Sequence, residues 1–98
     1  MTLSVVFHEL AEAELIEAAA YYSRVRPGLG HAFIDEVERA VSGLANAPLV
    51  GKPVAGDIRL RLLRRFPYSI FYRLNGDHIR ILAIAHHKRR PSYWHGRT

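Results

Sequence analysis

Arginines alternate with apolar residues in the second half of the chain, a pattern that could bind anions. Arg59 and Arg61 lie two residues apart in one apolar stretch, and Arg73 and Arg80 lie in two later stretches. A guanidinium group is permanently charged and donates paired hydrogen bonds to phosphate or carboxylate oxygens. Lys52 is a further candidate for the same surface. We therefore expect an anionic partner here, either a nucleic acid or an acidic protein.

The C-terminal segment mixes basic and aromatic side chains over residues 86–97 (HHKRRPSYWHGR). Such a mixture suits base stacking combined with phosphate contacts. We nevertheless expect Trp94 to pack on Phe71 and Leu82, because these strand residues would otherwise form an uncovered apolar patch. The candidate binding residues are Arg59, Arg61, Arg73, Arg80, Lys88, Arg89, Arg90, Trp94 and Arg97.

Proton transfer would need different side chains, and two are available if the chain cleaves RNA. His86 or Tyr93 could move protons, while Arg80, Arg61 or Arg90 could stabilise the charge of the transition state. The candidate catalytic residues are therefore Arg61, Arg80, His86 and Tyr93. No metal and no cofactor are expected, because the chain lacks cysteine, its six histidines lack ligand spacing, and its basic half has only two carboxylates.

A short strand and two helices are predicted before the arginine-rich half. Residues 3–7 are apolar and β-branched, and from Glu9 to Val25 apolar residues recur every three or four positions, as on one face of a helix. A Pro-Gly pair at residues 27–28 ends this helix. A second apolar stripe predicts another helix from residue 29 or 30 to residue 45, and the short connector favours an antiparallel helical hairpin.

The remaining chain is predicted to form a loop and three strands. Residues 46–56 contain two prolines and two glycines, which indicates a loop. Alternating or β-branched apolar residues then predict strands at residues 58–62, 68–74 and 78–85. The strands are expected to form an antiparallel sheet with the helical hairpin on one face.

The register of the last hairpin decides which residues share a face of the sheet. If the Asn-Gly pair at residues 75–76 forms a two-residue turn, Tyr72 lies opposite Ile79. One face is then apolar and expected to lie beneath the helices: Ile70, Tyr72, Leu74, Ile79, Ile81, Ala83 and Ala85. The other is expected to carry Ser69, Phe71, Arg73, His78, Arg80, Leu82, Ile84 and His86, joined by Arg59 and Arg61.

Charge is divided unevenly over this short chain. The 98 residues carry a net charge of +5 and 49% hydrophobic residues, which indicates a single folded domain. Residues 1–49 hold three basic and seven acidic residues, net −4, whereas residues 50–98 hold eleven basic and two acidic residues, net +9. We expect no signal peptide and no membrane span, since no apolar run approaches about 20 residues. Together with the absence of cysteine, this composition is compatible with a cytoplasmic protein.

Three segments resemble the RelE/ParE toxin superfamily: residues 26–30 (RPGLG), 65–73 (RFPYSIFYR) and 84–94 (IAHHKRRPSYW). The resemblance covers nearly the whole chain and is closer to the ParE-like branch. It implies an α+β fold in which an N-terminal strand precedes an antiparallel helical hairpin, packed on one face of an antiparallel sheet and followed by a basic tail. It further implies that residues 1–98 form one toxin domain.

The same resemblance implies the toxin of a type II toxin–antitoxin (plasmid stabilisation) system. A ParE-like member would inhibit DNA gyrase by protein–protein contact and would not be an enzyme. A RelE-like member would be a ribosome-dependent, metal-independent mRNA endonuclease. We favour gyrase inhibition, because the basic residues are mostly arginines, whereas RelE-like sites use several lysines. A basic binding module outside any toxin system is a third hypothesis.

The expected partners follow from these alternatives. The first is a small, partly disordered cognate antitoxin that forms a hetero-oligomer with the toxin. The second is DNA gyrase or, on the alternative hypothesis, the ribosome and its mRNA. No membrane partner is expected.

Overall fold

Two helices cover one face of a five-stranded sheet in the computed structural model, which describes residues 2–98. The elements are β1 (Ser4–Phe7), α1 (Glu9–Val25), α2 (Leu29–Asn46), β2 (Lys52–Ala55), β3 (Ile58–Leu62), β4 (Tyr68–Asn75) and β5 (His78–His86). The strand order is β1-β5-β4-β3-β2. β2 to β5 are antiparallel, as predicted, but β1 runs parallel to β5. The predicted α+β class and helical hairpin are therefore confirmed, and the parallel edge strand makes the sheet mixed.

Local signals explain where the two helices begin and why they pack closely. The His8 Nδ1 accepts a hydrogen bond from the Leu10 N–H at 3.0 Å and caps α1. α2 begins after Gly28, whose φ of +85° is a left-handed conformation that glycine adopts without strain. Gly30 then faces α1, where a Cβ would lie only 2.5 Å from the Ala19 carbonyl oxygen. The glycine therefore lets the two helix backbones approach.

An aromatic cluster joins the helices to the sheet. The Phe33 ring of α2 lies 5.1 Å from the Phe66 ring and 5.0 Å from the Tyr68 ring. The Tyr22 ring of α1 completes the cluster, 5.4 Å from Phe33 and 4.9 Å from Phe66. Burial raises the pKa of the Tyr22 phenol, and the nearby Tyr21 adds to this rise. Edge-to-face ring pairs of this kind stabilise a core beyond the area they bury.

The predicted loop at residues 46–56 contains a short strand, β2, so that prediction is wrong for Lys52–Ala55. All four residues of β2 are exposed, and exposed residues leave no alternating apolar pattern to detect. Pro53 is tolerated because β2 is the edge strand and its register shifts between Pro53 and Ala55.

The β4–β5 hairpin differs from its predicted register by two residues. Asn75 lies opposite His78, so the turn is formed by Gly76 and Asp77, and Gly76 adopts a φ of +65°. Tyr72 consequently lies opposite Ile81 instead of Ile79. A shift of two residues keeps each side chain on its predicted face, because side chains alternate with a period of two.

A β-bulge in β5 does change the faces. Tyr72 lies opposite Ile81 and Phe71 opposite Ala83, so Leu82 is an extra residue in β5 with no partner in β4. One extra residue reverses the alternation of every side chain that follows it in the strand.

The reversal redistributes the end of β5 between the two faces. Ile84 lies opposite Ile70 in the core, and His86 shares its helix-covered face. Ala83 and Ala85 lie on the face away from the helices. The predictions that placed Ala83 and Ala85 beneath the helices, and Ile84 and His86 on the other face, are therefore wrong.

Within residues 2–98, neither helix has the combination of length and hydropathy needed to cross a bilayer.

Candidate functional site

The C-terminal tail, residues 87–98, folds back as a series of turns on the face of the sheet away from the helices. The Trp94 ring lies 4.7 Å from the Phe71 ring and is only 5% exposed. The prediction that Trp94 packs on Phe71 is confirmed. Its indole is consequently part of the packing and does not present a free stacking surface to a partner.

Glu14 of α1 ties the tail to the rest of the protein. One carboxylate oxygen, Oε1, accepts hydrogen bonds from the Ile84 N–H and the Arg97 Nη1, both at 3.0 Å. The other, Oε2, accepts from the Tyr93 hydroxyl at 2.8 Å and the Arg97 Nη2 at 3.0 Å. The Glu14 and Arg97 side chains are 14% and 11% exposed, so the ion pair is nearly buried. We call this arrangement of Glu14, Tyr93 and Arg97 the tail latch.

The tail latch is not evident from the sequence. Glu14 is one of four glutamates near the start of α1, and no local pattern distinguishes it from Glu9, Glu12 or Glu17. Its partners follow at distances of 70 to 83 residues along the chain. Arg97, predicted as a binding residue, is instead engaged within the protein.

The Tyr93 hydroxyl donates a hydrogen bond to Glu14, which limits the chemistry of the phenol. Burial raises the pKa of the Tyr93 phenol, and the hydrogen bond and charge of Glu14 raise it further, against smaller opposite effects of Arg97 and Arg89. The Arg89 guanidinium lies 3.8 Å from the centre of the Tyr93 ring. A phenol held protonated in this way is poorly suited to accept a proton.

His86 lies at the end of β5, beside the tail. Its ring is 5.0 Å from the Tyr68 ring, and its Nδ1 accepts a hydrogen bond from the Lys88 N–H at 3.0 Å. His86 and Tyr93 both line a cavity of about 250 Å³ that Phe71 and Trp94 also border. Arg61 and Arg80, the other two candidate catalytic residues, do not border it. Within residues 2–98, no three histidine, aspartate or glutamate side chains are grouped as a metal site.

Arg73 and Arg80 lie on the face away from the helices, as predicted, and the shifted register places them opposite one another. The Arg73 Nη2 donates to the Asp57 Oδ1 at 3.0 Å. The Arg80 Nε donates to the Thr98 carbonyl at 3.1 Å, and its Nη1 to the Phe7 carbonyl at 3.4 Å. Both guanidinium groups are thus partly engaged by the protein itself.

Arg59 and Arg61 lie on the opposite face, so the prediction that they join Arg73 and Arg80 is wrong. Arg59 pairs with Tyr72 and Arg61 with Ile70, and both partners belong to the core beneath the helices. The alternating pattern alone cannot show which side chains of β3 face the helices, because both faces of this strand are partly exposed near the sheet edge.

The helix-side position gives Arg59 a structural role. Its Nη1 donates to the Leu49 carbonyl at 3.0 Å and to the Gly51 carbonyl at 2.8 Å, which fixes the loop between α2 and β2. The buried Tyr72 hydroxyl supports the same loop, because it accepts from the Gly51 N–H and donates to the Pro48 carbonyl, both at 2.9 Å.

Three basic residues at the start of the tail remain accessible. Lys88, Arg89 and Arg90 are exposed at the turn that follows β5, although Arg89 also stacks on Tyr93. The predicted binding residues thus fall into four groups. Lys88, Arg89 and Arg90 are exposed at the tail turn, and Arg73 and Arg80 are partly engaged on the sheet. Arg59, Trp94 and Arg97 make contacts within the fold, and Arg61 lies on the helix side of β3.

Comparison with known proteins matches this fold and sequence to one family. A sequence model of the ParE toxin of the type II toxin–antitoxin system, parDE, matches residues 5–91. Toxin ParE2 of Mycobacterium tuberculosis is 31% identical over 96 residues, which cover 94% of this chain and 89% of that protein.

Solved structures agree with this match. A chain from the chromosomal ParDE toxin–antitoxin system of P. aeruginosa superposes with a TM-score of 0.78 at 24% identity, covering 87% of this chain and 96% of that one. A chain from the toxin–antitoxin complex RelBE2 of M. tuberculosis superposes with a TM-score of 0.61 at 25% identity, covering 88% and 99%. The predicted resemblance is confirmed, and the chain belongs to the ParE toxin family of type II toxin–antitoxin systems.

Proposed function

We propose that this toxin inhibits DNA gyrase by protein–protein contact and that a cognate antitoxin neutralises it. The observation that carries the choice of target is the separation of the four candidate catalytic residues. Arg80 precedes His86 by six residues in β5, which is roughly 20 Å along an extended strand. Arg61 lies on the other side of the sheet from Arg80. Arg80 therefore cannot act with His86 on one phosphate, and Arg61 and Arg80 cannot act on it together.

The state of Tyr93 also weighs against RNA cleavage. General acid–base catalysis needs a side chain within hydrogen-bonding reach of the reacting group and with a pKa near the operating pH. The Tyr93 hydroxyl is directed to Glu14 and its pKa is raised. These features favour a binding function for the exposed tail turn over a catalytic one.

An antitoxin partner is supported by charge and by similarity. The two structural relatives come from a ParDE system and from a RelBE2 toxin–antitoxin complex. In this chain, residues 50–98 carry a net charge of +9, which an acidic partner would neutralise. α1 also exposes four large apolar side chains that a partner could cover: Leu10, Ile16, Tyr21 and Val25.

The test is a supercoiling assay with purified gyrase, relaxed plasmid and purified toxin. We expect the toxin to inhibit supercoiling and the antitoxin to restore it. The Lys88→Gln/Arg90→Gln variant should inhibit about tenfold less potently, equivalent to ~1.4 kcal/mol of binding free energy. The Arg24→Gln/Arg26→Gln variant removes the same charge from the exposed C-terminal end of α1 and should match the wild type.

A parallel translation extract tests the competing activity. Full gyrase activity at saturating toxin would contradict the proposal. Cleavage of ribosome-bound mRNA in that extract, lost on Tyr93→Phe substitution, would establish the endonuclease in its place.

A further inference from the structure

We propose that a cavity between α2 and β3 binds carboxylate side chains of an acidic segment of the antitoxin. The cavity has a volume of about 380 Å³ and is bordered by four arginines: Arg39 of α2, Arg61 of β3, and Arg64 and Arg65 of the turn that follows β3. We call it the arginine cavity. The identity of the partner rests on the proposed function, whereas the chemistry of the cavity rests on its own residues.

A buried glutamate holds together the two segments that form the arginine cavity. Glu36 of α2 is 8% exposed, and its Oε2 accepts hydrogen bonds from the backbone N–H groups of Arg64 at 2.6 Å and Arg65 at 3.1 Å. These bonds hold the turn against α2, so that the Arg64 and Arg65 side chains border the cavity. Glu36 is the one acidic residue among the residues that line it.

The arginines of this cavity lack the internal partners that other arginines have. Within the described part of the chain, no hydrogen bond or ion pair engages the guanidinium groups of Arg39, Arg61 or Arg64. Arg65 approaches Glu36 only to 4.0 Å and has a 60% exposed side chain. By contrast, Arg59 binds two carbonyls and Arg97 binds Glu14. Like charges gathered beside a cavity create a positive potential that an anion would relieve.

The apolar part of the lining favours a peptide over a nucleic acid. Ala40 and Leu63 lie beside the arginines in this lining, which suits contact with aliphatic side chains. No aromatic side chain lines the cavity for a base to stack on. In addition, β2 pairs with β3 only as far as Leu60, so the outer edge of Arg61 and Leu62 has no strand partner within residues 2–98. An extended peptide could hydrogen-bond to that edge while its carboxylates enter the cavity.

The alternative position for an acidic antitoxin segment is the sheet face that carries Arg73 and Arg80. Those two guanidinium groups already donate to Asp57, Thr98 and Phe7, and the tail covers part of the face. The arginine cavity therefore offers the larger number of free donors.

The test is a titration of isotope-labelled toxin followed by amide chemical shifts. The probe is a short capped peptide of leucine and glutamate, compared with the same peptide carrying glutamine in place of glutamate. We expect saturable shifts centred on residues 61–65, weaker binding at higher salt, and affinity for the glutamine peptide at least about tenfold lower. Purified antitoxin should displace the glutamate peptide.

Matched variants separate the cavity from general charge. Arg39→Gln/Arg64→Gln should weaken peptide binding about tenfold or more, while Arg24→Gln/Arg26→Gln, with the same charge change elsewhere, should bind as the wild type does. Thermal melts check that each variant is folded.

Four results would overturn the proposal: equal binding of both peptides, equal binding by the cavity variant, failure of the antitoxin to displace the peptide, or tighter binding of a single-stranded oligonucleotide through the same amides. The last result would assign the cavity to phosphate. Peptide binding does not depend on gyrase. An inactive toxin in the supercoiling assay would therefore refute gyrase as the target without affecting the proposal that the arginine cavity binds carboxylates.

Discussion

Replacing Glu14 with glutamine removes the negative charge at the centre of the tail latch and leaves the size and shape of the side chain almost unchanged. The carboxylate accepts four hydrogen bonds, two of them from Arg97, and both side chains of the ion pair are at least 86% buried. In the variant, an amide group must replace one of the two acceptor oxygens. The amide NH2 then faces Arg97 together with either the Ile84 N–H or the Tyr93 hydroxyl, all of which are donors in the wild type.

The expected cost comes from the unpaired Arg97 guanidinium. Removing one partner of a buried ion pair destabilises a protein by roughly 3–5 kcal/mol. Because glutamine retains one acceptor oxygen and the Arg97 Nη1 also donates to the Leu82 carbonyl at 3.0 Å, we expect the lower end, about 3 kcal/mol. For a domain of this size that corresponds to a fall in Tm of about 12–24 °C.

Calorimetric or circular-dichroism melts measure this loss, with Glu17→Gln as the matched control on the exposed surface of α1. Trypsin adds a local readout, because release of the tail would expose the bonds after Lys88 and Arg89. We expect faster cleavage there in Glu14→Gln than in Glu17→Gln.

A double-mutant cycle with Arg97→Gln isolates the pair. The double variant should be less destabilised than the sum of the two single variants, since each single change leaves one buried group without its partner. A Tm for Glu14→Gln within about 2 °C of the control, or strictly additive losses, would refute the role of the tail latch.

Three further changes probe other contacts of the fold. Trp94→Ala should lower the free energy of unfolding by about 3–5 kcal/mol in denaturant titrations, because it removes a buried ring that packs on Phe71. Wild-type Tm should fall as pH rises above about 10, because folding raises the pKa of the Tyr93 phenol. The stabilisation that accompanies this raised pKa is complete below the unfolded pKa and is lost as the pH rises towards the folded pKa. Tyr93→Phe should flatten this part of the pH profile. Gly30→Ala should destabilise by about 1–3 kcal/mol in the same titrations, because its Cβ would meet the Ala19 carbonyl; a neutral effect would show that the helices can separate.

The fold was largely predictable because its signals are local. The Pro-Gly pair that separates the helices, the apolar stripes of α1 and α2, and the β-rich segments each lie within a few adjacent residues. The β2 strand was missed because it is short and exposed. The bulge at Leu82 was missed because an apolar residue fits either face of β5, and only the partner strand determines which residue is extra.

The candidate site was less predictable because its contacts are distant in sequence. Glu14 and Glu36 look like ordinary helix-surface glutamates, yet each accepts hydrogen bonds from a segment at least 28 residues away. Arg59 and Arg61 were assigned to the wrong face because their side of β3 depends on the register with β4. Residue type therefore identified the basic half correctly, while the division of its arginines between internal contacts and free surface required the three-dimensional structure.

The parallel pairing of β1 with β5 has a consequence for how this protein is made. β1 is synthesised first, but its hydrogen-bonded neighbour comprises residues 78–86, more than seventy residues later. Pairing across such a separation is slow, because the loop must close before the contacts form. The helical hairpin can form while the chain is still emerging from the ribosome, whereas the sheet cannot be completed until residues 78–86 have left it. A product terminated before β5 would leave β1 without its neighbouring strand in the sheet, so β5 must be made before this toxin can exist as a folded protein.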